Sequence, residues 1–377
     1  MSTSSADTGV DRDTSRPGPA PVKGAAPGRG TASAKRRSHP FARFVLVRLG
    51  VGVLLCLGIT ILAFGLTHAV PGDPVAANLG QRALNDPAAV AAFKAKNGLD
   101  DSLPSQYWTY LTNLLHGDMG TSQQTHRPVW DDLADKIPAS LELALAAIVL
   151  ALVIGVGLGI VAAVTRGRWP DRIIRVVSLA GVSVPVFWLA QVAFYVFSFK
   201  LGWIQAGGRL SPGAIPPDDI TGLYTVDSLL TGEWGTFGEA FSRMVLPACV
   251  LAAFNIGVLT RFTRAAVLEA LGNDYVRAAR AKGLPESTVI RRHALRPALT
   301  SILTVAGLTF GGMLAGTVLV ENVLSWPGLG QYAYKSALNL DLPSIMGVCL
   351  FVAVVYVVIN LLVDLLYGVI DPRIRLS

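Results

Sequence analysis

The sequence predicts an all-α, polytopic membrane protein with six transmembrane helices. Three observations lead there. Hydrophobic residues make up 52% of the 377 and charged residues 15%, where a soluble chain carries about a quarter charged, and the mean hydropathy is +0.50. Six apolar runs, 43–70, 139–165, 173–200, 243–265, 298–321 and 345–368, reach the roughly 20 residues a helix needs to cross a bilayer. The segments joining these runs alternate in charge along the chain, as they do when they lie on opposite membrane faces.

Residues 1–40 are rich in Ser, Pro, Gly and Ala and nearly free of large apolar side chains. Such a segment cannot bury enough surface to offset its ordering entropy, so a disordered cytoplasmic tail is expected. The apolar run after it is too long for a signal peptide, and no small-residue cleavage site follows. Lys35, Arg36, Arg37, Arg43 and Arg48 hold the N-terminus on the cytoplasmic side of the first span, 41–70.

The loop 71–137 carries Asp73, Asp86, Asp100, Asp101, Asp118, Asp131, Asp132 and Asp135 against five basic residues, which places it outside. Asp86-Pro87 is a helix start and Gly98 a stop. In "QYWTYLTNLLHG", Tyr107, Tyr110, Leu111, Leu114 and Leu115 recur at helical spacing before Gly117. Two short external helices are therefore expected. From 138 to 370 the remaining five spans form a core. Its linker "TRGRWPDR" holds Arg166, Arg168 and Arg172, whereas the loop 201–242 holds Asp218, Asp219, Asp227, Glu233 and Glu239 against Arg209 alone. With Arg373 and Arg375 in the tail 371–377, both termini are expected in the cytoplasm.

Between spans four and five lies a cytoplasmic loop, 266–297, containing "DYVRAARAKGLPESTVIRRHALRP" from Asp274 to Pro297. Asp274 suits a cap for a helix from Tyr275 to Lys282, with Gly283 as its left-handed stop. Pro285 and Glu286 suit the first turn of a second helix running toward span five. Ala278, Ala279 and Ala281 make the first helix slim, so that another protein can approach it closely. Basic charge alone would set the topology; the alanines, the glycine stop and the length exceed what topology needs.

Several chemistries are disfavoured. No Gly-x-x-x-x-Gly-Lys-Ser/Thr occurs and the dipeptide Gly-Lys is absent, so the usual phosphate cradle cannot be built and any nucleotide site belongs to a partner. His39, His68, His116, His126 and His293 are scattered, with no i, i+4 pair to hold a metal. No catalytic Ser/His/Asp ordering stands out, no nucleic-acid partner is implied, and the chain is not expected to be an enzyme. Cys56, Cys249 and Cys349 fall in apolar runs and argue against a disulfide framework. Among polar residues inside the spans, Glu142, Gln191, Asn255 and Glu321 are candidates for a substrate path or for interhelical hydrogen bonds. Asp364 lies near the inner end of span six. Gly155-x-x-x-Gly159 and Gly307-x-x-x-Gly311 permit close helix packing.

"RAARAKG" followed by "HALRP" resembles the EAA loop of permease subunits in binding-protein-dependent ABC importers. That pattern reads Glu-Ala-Ala, three residues, Gly, nine residues, Ile-x-Leu-Pro. Ala278, Ala279, Gly283 and Leu295 match it, while Arg277 replaces the Glu, His293 the Ile and Arg296 the Pro, with Pro297 one place late. "DYVRAARAKGL" and "RHALRPAL" are similar to the variants of the peptide and nickel branch, and so are "PGDP" at 71–74, "GDMGTS" at 117–122, "SWPGLG" at 325–330, "DLP" at 341–343 and "DLLYGVIDPRIR" at 364–375. The resemblance spans about residues 41–377 and implies the type I importer permease fold. It also implies import of dipeptides or oligopeptides, with nickel chelates or another small solute as the alternative. The assembly implied is a second, homologous permease, two ATP-binding subunits carrying ATP and Mg, and an extracytoplasmic peptide-binding protein. The ATPase contact would fall on Asp274, Tyr275, Arg277, Ala278, Ala279, Arg280, Ala281, Lys282, Gly283, Leu284, His293 and Leu295. A stand-alone channel or ion-coupled carrier is the remaining alternative, disfavoured because the intramembrane charges cluster at span ends.

Overall fold

A computed structural model of the chain describes residues 40–69, 86–97, 101–205 and 207–370. The expected N-terminal tail up to His39, the "PGDP" motif, the Gly98 stop and the tail 371–377 lie outside the described residues. Among the described residues, five helices are long and apolar enough to cross a membrane, or six if a bent pair counts as one span. No β-strand occurs among the described residues.

Helix α1 (Pro40–Ala69) is the first span. Two short helices follow, α2 (Pro87–Asn97) and α3 (Leu103–Leu115), where the sequence predicts them. Asp86 Oδ1 accepts the Ala88 N–H at 2.9 Å, the N-cap expected of Asp-Pro. Helix α3 packs on α1: the Thr60 and Tyr107 hydroxyls lie 2.9 Å apart and Phe64 stacks on Tyr110.

Helix α4 (Val129–Val164) begins ten residues before the expected span and carries Pro138 within it. The expected third span is broken. Helix α5 (Trp169–Ser183) and helix α6 (Val186–Ala193) meet at 97°. The cause is local: Pro185 drives the residue before it out of the helical region, and Val184 sits extended at φ −82°, ψ 125°. A π-helical turn, Phe194–Lys200, continues α6.

Helix α7 (Tyr224–Thr231) is a short helix of the acidic loop, and α8 (Trp234–Gly272) is the fourth span, continued at both ends beyond 243–265. Then come α9 (Asp274–Ala281), the fifth span α10 (Leu295–Val323), the short α11 (Leu329–Leu338) and the sixth span α12 (Leu342–Ile370). The core gathers α4, α8 and α10 around Leu143, Ala147, Leu251, Leu259, Met313 and Val320. Small residues let these helices close up. A Cβ on Gly155 would stand 2.9 Å from Leu259 Cβ, and one on Gly159 would stand 2.5 Å from Thr263 Cβ. Gly307 and Gly311 seat Val363 and Tyr356 of α12 in the same way. Both glycine pairs are thus packing devices, as their spacing predicts.

Candidate functional site

The segment between α8 and α10 folds as helix, tight turn, helix. Helix α9 starts one residue earlier than expected. Its N-cap is Asn273, extended at φ −75°, ψ 152°, and no side chain caps it. Asp274 lies inside the first turn, where its charge suits the positive helix end, and it pairs with Arg277. At the other end, Gly283 has φ +75°. Its N–H bonds to Arg280 O at 2.9 Å, and the Leu284 N–H bonds to Ala279 O at 3.4 Å. This pair of bonds is a Schellman stop, which calls for a left-handed residue at the position of Gly283.

Val276 and Ala279 of α9 are buried against Val289 and Leu271. Ala279 therefore faces its own chain, not outward as the slim-face reading has it. The exposed face carries Tyr275, Arg277, Ala278, Arg280 and Ala281. Arg280 reaches across the turn to Glu286, at 3.1 and 2.6 Å, and holds that carboxyl below its usual range through this hydrogen bond. An exposed pair of this kind contributes little stability, but its two-point geometry fixes how α9 sits on the following segment.

That segment starts at Pro285 as N-cap, makes one turn over Glu286–Thr288 and widens into a π-helical turn, Val289–Ala294, before α10. His293 is half-buried in the π turn, and Leu295 opens α10. Pro297 lies just after the π turn, inside a helix that runs on from Glu286, so its missing N–H leaves a gap in the helical hydrogen bonding there. Lys282, Arg291, Arg292 and Arg296 are exposed. The result is a small rigid knob with a basic outer face, anchored on both α8 and α10.

Of the polar residues singled out in the spans, two are structural. Glu142 is buried; it accepts Arg209 Nη2 at 2.7 Å and both the N–H and hydroxyl of Thr225 at 2.7 and 2.6 Å. Arg209 also donates to Gly222 O and lies 3.4 Å over the Tyr224 ring. Glu321 has no exposed surface. It accepts the Ser140 hydroxyl at 2.6 Å and the N–H groups of Gly330 and Gln331 at 2.7 and 3.1 Å. Both carboxylates are sealed behind their partners, so neither lines an open path in this conformation. Asn255 is half-buried and donates to Leu251 O of its own helix, and Gln191 is exposed on α6.

Three of the remaining motifs, "GDMGTS", "SWPGLG" and "DLP", are held by hydrogen bonds between distant parts of the chain. Ser122 of "GDMGTS" donates to Asp341 of "DLP" at 2.6 Å. Trp326 of "SWPGLG" donates from Nε1 to Ala139 O at 2.9 Å. The Tyr332 hydroxyl donates to Asp132 at 3.0 Å, and burial pushes that phenol up to about 12, which keeps it a donor at any physiological pH. These joints fasten the loops to the spans. Between α5 and α8, one buried residue escapes sequence reading. Asp171 accepts Arg264 Nε and Nη2 at 2.7 and 3.1 Å and the Gly167 N–H at 3.0 Å. Among three arginines in its linker, Asp171 reads as a helix-start residue and nothing more.

Residues 155–376 match the family described as "Binding-protein-dependent transport system inner membrane component", and residues 41–144 match its N-terminal companion. The probable D,D-dipeptide transport system permease protein DdpB of Escherichia coli (strain K12) is 43% identical over 85% of this chain and 94% of its own length. The dipeptide transport system permease protein DppB of the same strain is 40% identical over 88% and 98%. The di/tripeptide transport system permease protein DppB of Pseudomonas aeruginosa (strain UCBPP-PA14) is 42% identical over 88% and 98%.

Proposed function

The chain belongs to the family of binding-protein-dependent transport system inner membrane components, and from that premise we propose that it is a permease subunit of an ATP-driven importer of di- to oligopeptides. Relatives named for dipeptide and di/tripeptide transport, matched over nearly their whole length, support the substrate class. One geometric observation carries the coupling role. The outer face of α9 is exposed, while its inner face is locked onto Leu271 at the end of α8 and Val289 before α10. A push on α9 is therefore delivered to two spans at once.

In this reading two cytoplasmic ATP-binding subunits hold ATP and Mg, and α9 with its turn, Asp274 to Leu284, seats on them. A second, homologous permease completes the passage, and an extracytoplasmic binding protein delivers the peptide. Closure of the ATPases moves α9 as a rigid lever, and the spans switch between two states. The chain itself converts this motion and performs no chemistry. Gln191 and Asn255 are the retained candidates for the peptide path. Both termini face the cytoplasm, by the basic bias of the linkers on that side.

Two experiments test the proposal. Reporter fusions at Thr225 should read as external and fusions at Arg168 and Glu286 as cytoplasmic; a reversed pattern would overturn the orientation. Deleting the gene for this chain should abolish ATP-dependent uptake of labelled di- to oligopeptides and confer resistance to toxic peptides, with nickel uptake unchanged. Intact peptide uptake with lost nickel uptake would move the protein to the other solute class.

A further inference from the structure

A single residue, Asn273, separates α8 from α9, so any displacement of α9 pulls directly on α8. Within the last three turns of α8, Arg264 grips Asp171 in the first turn of α5 with both Nε and Nη2. Asp171 is 1% exposed. Its second oxygen also takes the N–H of Gly167, the left-handed turn residue between α4 and α5, and Arg175 Nε lies 3.4 Å away. One carboxylate thus ties together the α4–α5 turn, the start of α5 and the inner part of α8.

The three helices are also seated closely farther along. A Cβ on Gly257 of α8 would stand 2.6 Å from Ser178 O of α5, and α4 closes on Leu259 and Thr263 of α8 through Gly155 and Gly159. Such glycine-lined seams set how near the helices lie but leave them free to slide along their axes, because apolar contact is non-directional. A bidentate guanidinium–carboxylate pair is directional and blocks that sliding. At its far end α5 stops at Val184–Pro185, where the chain turns through 97°.

We propose that Asp171 and Arg264 are positioning residues for energy coupling: they lock α4, α5 and α8 into one wedge, so that displacement of α9 arrives at the Val184–Pro185 break instead of being lost as slippage of α8 past α5. The inference rests on the reading of α9 as the ATPase contact.

The test uses the complete complex, purified with its partners and placed in lipid vesicles. Asp171→Asn is expected to hydrolyse ATP at the wild-type rate while labelled dialanine moved per ATP falls about tenfold. Arg264→Lys keeps the charge but loses the two-point fork, and its ratio should fall between the two. Spin labels at the exposed Val177 of α5 and Phe262 of α8 read the wedge without substrate. Their separation should stay fixed on trapping with ATP and vanadate in the wild type and spread in Asp171→Asn. A pair that serves folding alone would lower the amount of complex yet leave the ratio and the label separation at wild-type values, and that result overturns the proposal. Failure of both variants to assemble overturns it too. Labels that behave as expected in a complex that moves no dialanine would support the wedge and overturn the peptide reading instead.

Discussion

Gly283→Asp is expected to abolish peptide uptake while the protein stays in the membrane at its normal level. The position is left-handed, at φ +75°, and a Cβ placed there meets nothing within 4 Å. No clash inside the chain can therefore account for a defect. Backbone strain is small as well: a side chain in this conformation costs about 1 kcal/mol, and Asp tolerates it better than most residues. What Asp changes is the surface. It sets a negative charge at the C-terminal end of α9, where the helix dipole is already negative, beside Lys282 and on the face proposed to seat on the ATPase. Gly283→Ala separates the two causes. Alanine carries at least the same strain without the charge and should retain most uptake. Both variants are checked by transport of a labelled dipeptide and by co-purification of the ATP-binding subunits. Loss of uptake in Gly283→Ala equal to that in Gly283→Asp would shift the cause to the turn itself. Normal uptake by a well-expressed Gly283→Asp protein would remove this segment from the mechanism.

Gly159→Leu is expected to lower the stability of the folded protein sharply. The Cβ alone would stand 2.5 Å from Thr263 Cβ and 2.9 Å from Thr260 O. The second contact is with backbone, so a helix must move, and forcing bulk into such a seam costs about 1–3 kcal/mol. Gly157, two residues earlier, faces away from α8 with nothing within 4 Å, and Gly157→Leu should be close to neutral. Thermal stability of the detergent-purified protein, followed as the fraction that stays monodisperse after heating, separates the two. Equal stability of the pair would mean that the α4–α8 seam is far looser than it stands here.

The spans were legible because membrane crossing demands long apolar runs, and nothing else in the chain imitates them. The turn at Gly283 was legible because only a few residue types accept a left-handed backbone. The break in the third span was written in the "VPV" of Val184–Val186, but hydropathy alone runs straight across it. Glu142 and Glu321 announced themselves as costly residues in apolar helices. Their roles did not, because the partners that neutralise them lie far along the chain: Arg209 is 67 residues from Glu142, and Ser140 is 181 residues from Glu321. The same holds for Asp171, whose partner Arg264 is 93 residues away. Ala279 was misplaced for a different reason. On a helix as short as α9, the side that faces the protein is chosen by Val276 and by what waits at Val289, and a run of alanines carries no direction of its own.

The π-helical turn at Val289–Ala294 has a consequence for building hybrids of this protein. Such a turn holds more residues than an α-helical turn of the same height, so it stores length within an otherwise continuous helix. A change that let the stretch close into ordinary α-helix with all its residues kept would swing everything upstream by about 100° relative to α10, the angle one residue subtends. The basic face of α9 would then point sideways. Grafting this segment between permeases therefore requires the whole stretch from Asp274 to Pro297 to travel together, since the aim of its outer face is stored in the turn that follows it.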